Sequence, residues 1–530
     1  MNGLRGTLRS GFVGLEAGLD RVFGPAWNPL GQLGALGFFF YWIVAVSGIY
    51  LYIGFDTGVS GAYRSVEHLT YAQWYLGGVL RSLHRYASDA LVLVMVLHPL
   101  REFALDRYRG ARWFSWVTGT PILWLVAVAG ITGYWLVWDK LAQYVAIATS
   151  EWLDWLPIFG EPIARNFLTP DSLSDRFFTL LVFMHIVVPL ILLLLLWLHL
   201  QRMARPKINP HRGLAVGTLL MMLVLAFVKP AESQGPADLV TVPAVVGLDW
   251  FYLALYPLLD LRSAGAVWAL VGTVTLGLLA LPWLPPPRRV PAAVVSLEDC
   301  NGCTRCAEDC PFNAITMAPR SDGRPFSHEA VVDPSLCVAC GICAGACPTW
   351  TPFRRRGVFV PGIDLPNLPL REVRGRAHAA AAKLPGPARV LLFACDHGVD
   401  PASLADEPVA VISLPCIGML PPSFIDYVLS RNLADGVFLT GCAEGDCYQR
   451  LGIRWTEGRL GGTRDPHLRQ RVPRERIGKL WVGPFGTDRL RHEVALFAAR
   501  LAQIGPSAAP RLPMLPTSDR QRREAGTADA

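Results

Sequence analysis

The sequence predicts an all-α bundle of six transmembrane helices, followed by two smaller cysteine-bearing domains, one α+β and one α/β. Apolar residues make up 52% of the 530 residues and charged residues only 17%, which is typical of a chain that lies partly in a bilayer. All 12 cysteines lie between Cys300 and Cys447, so the apolar part and the thiol-bearing part occupy separate stretches of chain. We therefore expect a composite protein with at least three domains.

Six apolar stretches are long enough to cross a bilayer, which takes roughly 20 residues. They cover residues 34–55, 85–105, 115–138, 177–200, 213–229 and 264–284. The loops at 101–112 and 201–212 are rich in arginine, including Arg202 and Arg205, and the intervening loops are rich in acids. Because basic loops stay in the cytoplasm, we expect a multi-pass protein of the cell inner (cytoplasmic) membrane with both termini cytoplasmic. No cleavable signal pattern precedes the first stretch.

The chain after the sixth stretch divides at proline-rich and arginine-rich segments. Pro285 to Pro287, with Arg288 and Arg289, mark the end of a membrane domain at 1–290. A cysteine module follows at 296–350. Short apolar runs at 390–393, 409–414 and 436–439 alternate with helical segments and predict a small parallel α/β domain at 387–500. We expect residues 503–530 to be a disordered tail.

Composition also indicates the cellular compartment of the cysteine-bearing part and the class of partner to expect. Cysteine gaps of two and three residues are typical of metal or cluster ligands in a reducing compartment, which agrees with a cytoplasmic tail. The net charge is +7, but the arginines form no compact basic run, so we expect no nucleic-acid binding.

Four histidines in two apolar stretches share one spacing. His84 and His98 are 14 residues apart, and so are His185 and His199. Fourteen residues advance a helix by about 21 Å and return to nearly the same face, so two facing helices present two histidine pairs at two depths. Imidazoles on both sides of a heme iron leave no open position, which suits electron transfer. A single such histidine often only bonds to neighbouring helices, but two matched pairs favour two hemes.

Glycines and arginines accompany these histidines. Removing a side chain allows a porphyrin edge to approach the helix backbone, although glycines are common in membrane helices. Arg81 lies three residues before His84 and Arg101 three after His98, where each is placed for a heme propionate or simply for anchoring at the interface. The glycines, again 14 residues apart, are Gly34 and Gly48 in the first stretch and Gly119 and Gly133 in the third.

These residues make 20–285 resemble cytochrome b of the quinol-oxidising cytochrome bc and b6f complexes. The resemblance extends to residues 156–160, Leu-Pro-Ile-Phe-Gly, and to residues 248–253, Leu-Asp-Trp-Phe-Tyr-Leu, where the family has Pro-Glu-Trp-Tyr. It implies a cytochrome b bundle, an outer quinol site with Asp249 and Tyr252 as catalytic residues, and a homodimer. Leu248 and Asp249 depart from the family, so the carboxylate is one methylene shorter, and an acid in an outer loop is also ordinary. No cysteine lies here, so we expect no covalently attached extra heme.

Eight cysteines form two runs with the spacing C-x2-C-x2-C-x3-C-P. Such runs build a bacterial-type ferredoxin with two 4Fe-4S clusters, in which the fourth cysteine of each run binds the other cluster. A zinc site needs only four ligands, so two complete runs disfavour it. The sequence assigns Cys300, Cys303, Cys306 and Cys347 to one cluster, and Cys337, Cys340, Cys343 and Cys310 to the other.

Four further cysteines, Cys395, Cys416, Cys442 and Cys447, follow predicted strands, where α/β domains gather ligands. Their spacing alone allows zinc, an iron-sulfur cluster or unligated thiols. Residues 393–395, 414–418 and 441–447 resemble the delta subunit of methyl-viologen-reducing hydrogenases, which implies a 2Fe-2S cluster and a partner of heterodisulfide-reductase type. Arg454, Arg459 and Arg464 either dock a flavoprotein or form a solvated face.

Together these motifs predict an oxidoreductase subunit that links the quinone pool, through two b-type hemes, to cytoplasmic iron-sulfur clusters and a soluble partner of hydrogenase or heterodisulfide reductase type. The alternative is a membrane anchor and electron wire with an inactive outer quinol site. The direction of electron flow stays open, and a bifurcating quinol oxidase would need a high-potential acceptor on another subunit. No dinucleotide-binding or phosphate-binding loop is present, so we expect no flavin or nicotinamide site.

Overall fold

The computed structural model describes residues 2–158, 160–170, 172–201, 206–285, 290–349, 361–384, 386, 388–404 and 409–506. These residues belong to two compact units, Met1–Pro287 and Arg288–Ala530. Several features of the sequence analysis lie outside the described residues: Phe159, Arg202, Arg205, Pro286, Pro287, Arg288, Arg289 and all of the predicted tail beyond residue 506.

The first unit is helical, as its apolar composition predicts. Short 3-10 and π-helical turns join several of its helices. The α-helices are α1 (Asn2–Phe23), α2 (Leu33–Ile53), α3 (Ala62–Glu67), α4 (Val79–Ala104), α5 (Trp113–Val137), α6 (Lys140–Asp154), α7 (Ile163–Phe167), α8 (Asp175–Leu200), α9 (Arg212–Val228), α10 (Tyr256–Leu261) and α11 (Ala264–Ala280).

Four helical segments in the described part are long and apolar enough to cross a membrane. They are Leu30–Gly54, Gly110–Val137, Asp175–Leu200 and Ala264–Trp283. The second predicted span lies in α4, which has 26 residues but carries charged side chains such as Arg85 and Asp89. The fifth predicted span is α9, which has only 17 residues. The helical, membrane-capable character of this unit is therefore confirmed, and the count of six spans stays a prediction.

Two helix pairs position the histidines. Helix α2 packs against α4, and α5 packs against α8. Buried apolar side chains such as Leu36, Val94, Val126 and Leu192 belong to one continuous core of the unit. Lipid tails are as apolar as these side chains, so close van der Waals packing fixes which faces of the helices meet in each pair.

The second unit combines strands and helices. Its α-helices are α12 (Arg305–Glu308), α13 (Ile342–Ala346), α14 (Leu370–Ala381), α15 (Pro422–Ser430), α16 (Gly452–Gly461) and α17 (Thr487–Ile504). Its strands are β1 (Val294–Val295), β2 (Ile315–Pro319), β3 (His328–Val332), β4 (Ile363–Asp364), β5 (Val390–Cys395), β6 (Val409–Leu414), β7 (Gly436–Gly441) and β8 (Ile477–Trp481).

These strands form three sheets. Strands β1 and β4 pair antiparallel, as do β2 and β3. The remaining four form a parallel sheet in the order β6-β5-β7-β8, with β5 fully buried. The three predicted apolar runs correspond to β5, β6 and β7. Strand β8 was not predicted, because Lys479 and its partly exposed neighbours do not make an apolar run.

Candidate redox centres

The first histidine pair, His84 of α4 and His185 of α8, brings two imidazole rings close together. Their ring centroids lie 6.4 Å apart with an interplanar angle of 59°. One metal ion fits between two imidazoles at this separation, since a metal–nitrogen bond takes roughly 2 Å on each side. The pair is therefore suited to axial ligation of a heme iron.

Hydrogen bonds at Nδ1 orient both rings of this pair. His84 Nδ1 lies 3.0 Å from the carbonyl oxygen of Val44 and 3.1 Å from Ser47 Oγ. His185 Nδ1 lies 3.1 Å from Thr132 Oγ1 and also bonds to the Ala129 backbone. A carbonyl oxygen only accepts, so Nδ1 carries the proton and donates it. The unprotonated Nε2 is then the nitrogen available to a metal.

The second histidine pair, His98 of α4 and His199 of α8, repeats this arrangement one level along the helices. His199 interacts electrostatically with His98 and bonds to the Ser115 backbone. Its Nδ1 lies 3.2 Å from Thr118 Oγ1. The 14-residue spacing thus brings one histidine from each helix together at each level.

Each of the four predicted glycines lies directly behind one histidine ring. A Cβ added to Gly133 would lie 2.9 Å from His185 Cε1, and distances at the other three range from 3.0 Å to 3.7 Å. The space freed by each missing side chain is therefore taken by an imidazole, and contact with a porphyrin edge stays a prediction. The remaining pairs are Gly34 with His98, Gly48 with His84 and Gly119 with His199.

A hydroxyl residue before the glycine is a signal that the sequence analysis missed. Ser47, Thr118 and Thr132 each precede one of these glycines, and each contacts the Nδ1 of the histidine there. Thr132 Oγ1 also donates to the Val128 carbonyl at 2.8 Å, so its lone pairs are left to accept from the imidazole. Only Gly34 lacks such a neighbour, since Leu33 precedes it.

Both predicted propionate partners have acceptors within the protein. Arg81 donates to Thr70 Oγ1, and to Ser233 Oγ at 2.7 Å. Arg101 Nε lies 2.7 Å from Glu16 Oε1, which ties α1 to α4. Burial is the main cause that raises the pKa of Glu16, and the Arg101 charge opposes it. Their contact with heme propionates remains a prediction.

The two predicted quinol-site residues lie in a polar cluster beside α4. Tyr134 donates to Asp249 Oδ2, and a guanidinium nitrogen of Arg85 lies 3.1 Å from the same oxygen. Arg85 also pairs with Asp89 one turn further along α4. Tyr252 Oη lies 2.6 Å from Ser88 Oγ. Asp249 is only 8% exposed, and its carboxylate is already bonded to Tyr134 and Arg85.

The ferredoxin-like cysteines fall into the two groups that the sequence assigns. Burial, and then Cys347, Cys303 and Cys300, raise the pKa of Cys306 to about 12, which places these four thiols together. The other group, Cys310, Cys337, Cys340 and Cys343, lines one cavity together with Phe312 and Ile342. Four thiolates around an apolar cavity are the donor set that an iron-sulfur cluster requires.

The last four cysteines converge at the carboxyl ends of β5, β6 and β7. Cys416 contacts Cys395 and Cys447, and Cys442 contacts the same two sulfurs. Hydrogen bonds from the Cys416 and Cys442 thiols lower the pKa of Cys447. A Cβ on Gly452 would lie 2.2 Å from Cys416 Sγ, so only glycine fits there. This group brings together four sulfurs from distant parts of the chain, those of Cys395, Cys416 and Cys442 buried and that of Cys447 partly exposed.

None of these groups has the compact arrangement of a single-ion site. Among the described residues, no three or more His, Cys, Asp or Glu side chains are disposed to hold one metal ion.

One of the three arginines predicted to dock a partner or form a solvated face does neither. Arg459 is 1% exposed, and its guanidinium lies 2.5 Å from Asp309 Oδ2. Arg464 Nε lies 2.6 Å from Asp309 Oδ1, and its guanidinium covers the Trp455 ring at 3.4 Å. The prediction was wrong for Arg459, because Asp309, from the first cysteine run, draws its guanidinium inward. It stays a prediction for Arg464, whose side chain is 28% exposed. Arg454 also covers Trp455, at 5.1 Å.

Comparison with known proteins identifies three parts of the chain. Residues 23–206 match the family model of cytochrome b/b6/petB, residues 299–350 the 4Fe-4S dicluster domain, and residues 390–505 the delta subunit of methyl-viologen-reducing hydrogenase. A chain of the solved structure "Hyperthermophilic respiratory Complex III" is 21% identical with a TM-score of 0.40, and the match covers 48% of this chain and 75% of that one.

The chain therefore contains a cytochrome b/b6 domain, a 4Fe-4S dicluster domain and a hydrogenase delta-subunit domain, in that order. It is an integral membrane electron-transfer protein of the oxidoreductase type, and its family matches imply heme and an iron-sulfur cluster.

Proposed function

We propose that this protein carries electrons between the quinone pool and a cytoplasmic redox partner, through two b-type hemes, two 4Fe-4S clusters and one 2Fe-2S cluster. The observation that supports this best is the pair His84 and His185, whose ring centroids lie 6.4 Å apart and whose Nδ1 atoms are both hydrogen-bonded. A heme held in this way supplies one-electron chemistry without an open coordination position.

The chain's own residues then have defined tasks. His84 with His185, and His98 with His199, hold the two hemes. Ser47, Thr118 and Thr132 keep three of the rings in the ligating tautomer. Gly34, Gly48, Gly119 and Gly133 make room behind the rings. Arg81 and Arg101 meet the propionates.

The three thiol groups hold the clusters in the second unit. Cys300, Cys303, Cys306 and Cys347 hold one 4Fe-4S cluster, and Cys310, Cys337, Cys340 and Cys343 hold the other. Cys395, Cys416, Cys442 and Cys447 hold the 2Fe-2S cluster. The proximity of the thiols within each group supports this division.

The orientation proposed from loop charge places the termini and the iron-sulfur unit in the cytoplasm, at the cell inner membrane. The heme at His98 and His199 then lies on the cytoplasmic side and exchanges electrons with the clusters. The soluble partner is a flavoprotein or a subunit of hydrogenase or heterodisulfide reductase type. The family resemblance favours a homodimer in the membrane.

Asp249 and Tyr252 are the proposed residues of the outer quinol site. Oxidation of a quinol releases two electrons and two protons, and Asp249 would receive one of those protons. Arg85 and Tyr134 compete for the same carboxylate oxygen. Quinol binding would therefore have to displace one of these contacts.

This competition favours a second candidate function, a membrane anchor and electron wire whose outer quinol site is inactive. In that case Asp249 is a structural partner of Arg85, and electrons enter or leave only through the hemes and clusters. Removing one member of a buried ion pair destabilises a protein whether or not the pair is catalytic, so the test must measure quinol turnover directly.

Asp249→Asn distinguishes the two candidates. If Asp249 accepts the proton, oxidation of a quinol analogue by the purified full chain falls by at least roughly a hundredfold, the usual contribution of a positioned base. Asp260→Asn is the matched control, because Asp260 also accepts from a tyrosine, Tyr144 at 2.8 Å, outside the Arg85 cluster. An unchanged rate in Asp249→Asn, with heme content intact, would support the anchor.

A further inference from the structure

The second unit contains a close contact between the dicluster cysteine run and the hydrogenase delta-like part. Helix α13 carries Cys343 and lies against the short 3-10 turn Ile417–Met419, which directly follows Cys416. Cys340, Ile342 and Cys416 pack together as one small buried cluster. A ligand of one proposed 4Fe-4S cluster thus lies in the same core as a ligand of the proposed 2Fe-2S cluster.

Glycines bring the two backbones together in this contact, which we call the seam (residues 341–346 and 416–420). A Cβ on Gly345 would lie 2.1 Å from the carbonyl oxygen of Gly418. A Cβ on Gly341, whose φ is +76°, would lie 2.8 Å from the Met419 side chain. A Cβ at position 345 would meet backbone, which cannot yield as a flexible side chain does, so a larger residue there forces the two segments apart. At position 341 the neighbour is a side chain, and the positive φ is what favours glycine.

Arg459 links the two segments of the seam through hydrogen bonds. It donates to the Gly418 carbonyl oxygen at 2.8 Å, to Asp309 Oδ2 at 2.5 Å and to the Ile342 carbonyl oxygen at 3.4 Å. These three acceptors come from the 3-10 turn, the first cysteine run and α13. Both partners of the ion pair are buried, so the geometry is held firmly and breaking it is costly.

Residues close to Arg459 in the chain contact the backbone next to Cys310, which belongs to one of the two dicluster thiol groups. Trp455 Nε1 donates to the Asp309 carbonyl oxygen at 3.1 Å, next to Cys310, and Arg450 donates to the Pro311 carbonyl oxygen. Phe312 and Val338, which line the cavity of the Cys310 group, pack against the same small cluster. The group of Cys310, Cys337, Cys340 and Cys343 is therefore the one adjoining the seam.

We infer that electrons pass between the 4Fe-4S cluster of this group and the 2Fe-2S cluster across the seam, and that Arg459 is the positioning residue that holds the two sites together. One electron moves per event, so one cluster is oxidised by one electron, the other is reduced by one, and no bond forms or breaks. The inference rests on the proposed function, because it presumes that both thiol groups hold clusters.

Electron paramagnetic resonance of the purified full chain tests this inference. In the native protein, reducing the 4Fe-4S clusters should broaden the 2Fe-2S signal and speed its relaxation, since neighbouring unpaired spins interact. Gly345→Ala should weaken that interaction and slow electron transfer between the clusters severalfold, because electron tunnelling falls off steeply as the clusters move apart. Gly375→Ala is the matched control, because Gly375 lies within α14 with nothing near its missing Cβ.

A second pair of variants keeps the inference testable if Gly345→Ala fails to fold. Arg459→Met removes the charge and all three hydrogen bonds, and should weaken the spin interaction and shift the 2Fe-2S midpoint potential. Arg459→Lys keeps the charge and should restore the potential in part. A purely structural role would leave the potential of the folded variant unchanged, which would overturn the assignment of Arg459.

The outcomes separate this inference from the proposed function. Suppose that both cluster types are present and the native 2Fe-2S signal does not change with the redox state of the 4Fe-4S clusters. The seam is then not the route of electron transfer, and the inference alone fails. If the native chain has no 2Fe-2S signal, the cluster assignment fails, and the proposed function fails with it.

Discussion

Among the four glycines behind the histidine rings, Gly133 leaves the least room for a side chain. Its missing Cβ would lie 2.9 Å from His185 Cε1, closer than real Cβ contacts allow. The ring itself is held by Thr132 and the Ala129 backbone, so it has little freedom to move aside. A side chain at position 133 must therefore displace the histidine.

Gly133→Val should lower the heme content of the purified protein by roughly half, because overpacking disturbs one of the two histidine pairs and leaves the other intact. The measurement is the b-type absorbance per protein. Gly272→Val is the control, since Gly272 lies in apolar α11 with nothing within 4 Å of its missing Cβ. Equal heme content in both variants would contradict the steric role assigned to Gly133.

Among individual residues, the sequence predicted those that recur at a fixed spacing. It did not predict contacts between residues that are far apart in the chain. The histidines and glycines recur at 14 residues, so they are visible in the sequence. The partners of Arg101 and Arg459 are Glu16 and Asp309, which are 85 and 150 residues away. No periodicity connects such pairs, and Arg459 was therefore assigned to the surface.

Helix α14 shows how an element depends on one partly buried acid. Asp364, at the end of β4, accepts from the backbone N–H of Leu370 at 3.0 Å and of Leu365 at 2.9 Å. It thereby satisfies an N–H at the first turn of α14, which begins at Leu370. Burial is the main cause that raises the pKa of Asp364 to about 6, and these hydrogen bonds oppose it.

The stability of α14 should therefore fall as the pH rises. The folded pKa of about 6 exceeds the ordinary 3.8, so the folded state retains a proton that the unfolded chain releases between these values. The stabilisation is complete below about pH 4 and is lost as the pH passes 6. After allowance for partial exposure the effect is on the order of 1–2 kcal/mol.

Hydrogen exchange of the α14 amides checks this prediction. Protection in the native chain should be greater at pH 5 than at pH 7, after correction for intrinsic exchange rates. Asp364→Asn retains a capping oxygen and cannot ionise, so its protection should be independent of pH. The same pH dependence in both proteins would exclude Asp364 as its source.

Element prediction succeeded where burial was uniform. Strands β5 and β7 are buried along their whole length, and both were visible as apolar runs. Strand β8 is only partly buried and was missed. Helix α4 matched a predicted span, but its charged residues find partners inside the unit, such as Asp249 for Arg85, which local hydropathy does not reveal.

The proposed orientation of the protein in the membrane rests on loop charge and is open to direct measurement. Residues 230–262 should lie outside the cytoplasm, and the carboxyl terminus inside it. Alkaline phosphatase inserted in 230–262 should be active, and green fluorescent protein fused to the carboxyl terminus should fluoresce. The reverse pattern would place the iron-sulfur unit on the outer side and contradict the proposed route to a cytoplasmic partner.

The most direct test of the account is the number of hemes that the four histidines hold. We expect the purified full chain to show a b-type band in its reduced-minus-oxidised spectrum and to contain two hemes that titrate in separable steps. His185→Leu should lose one step and retain the other, because His98 and His199 form an independent pair. A chain with no b-type band, or a His185→Leu variant that keeps both steps, would contradict the central claim.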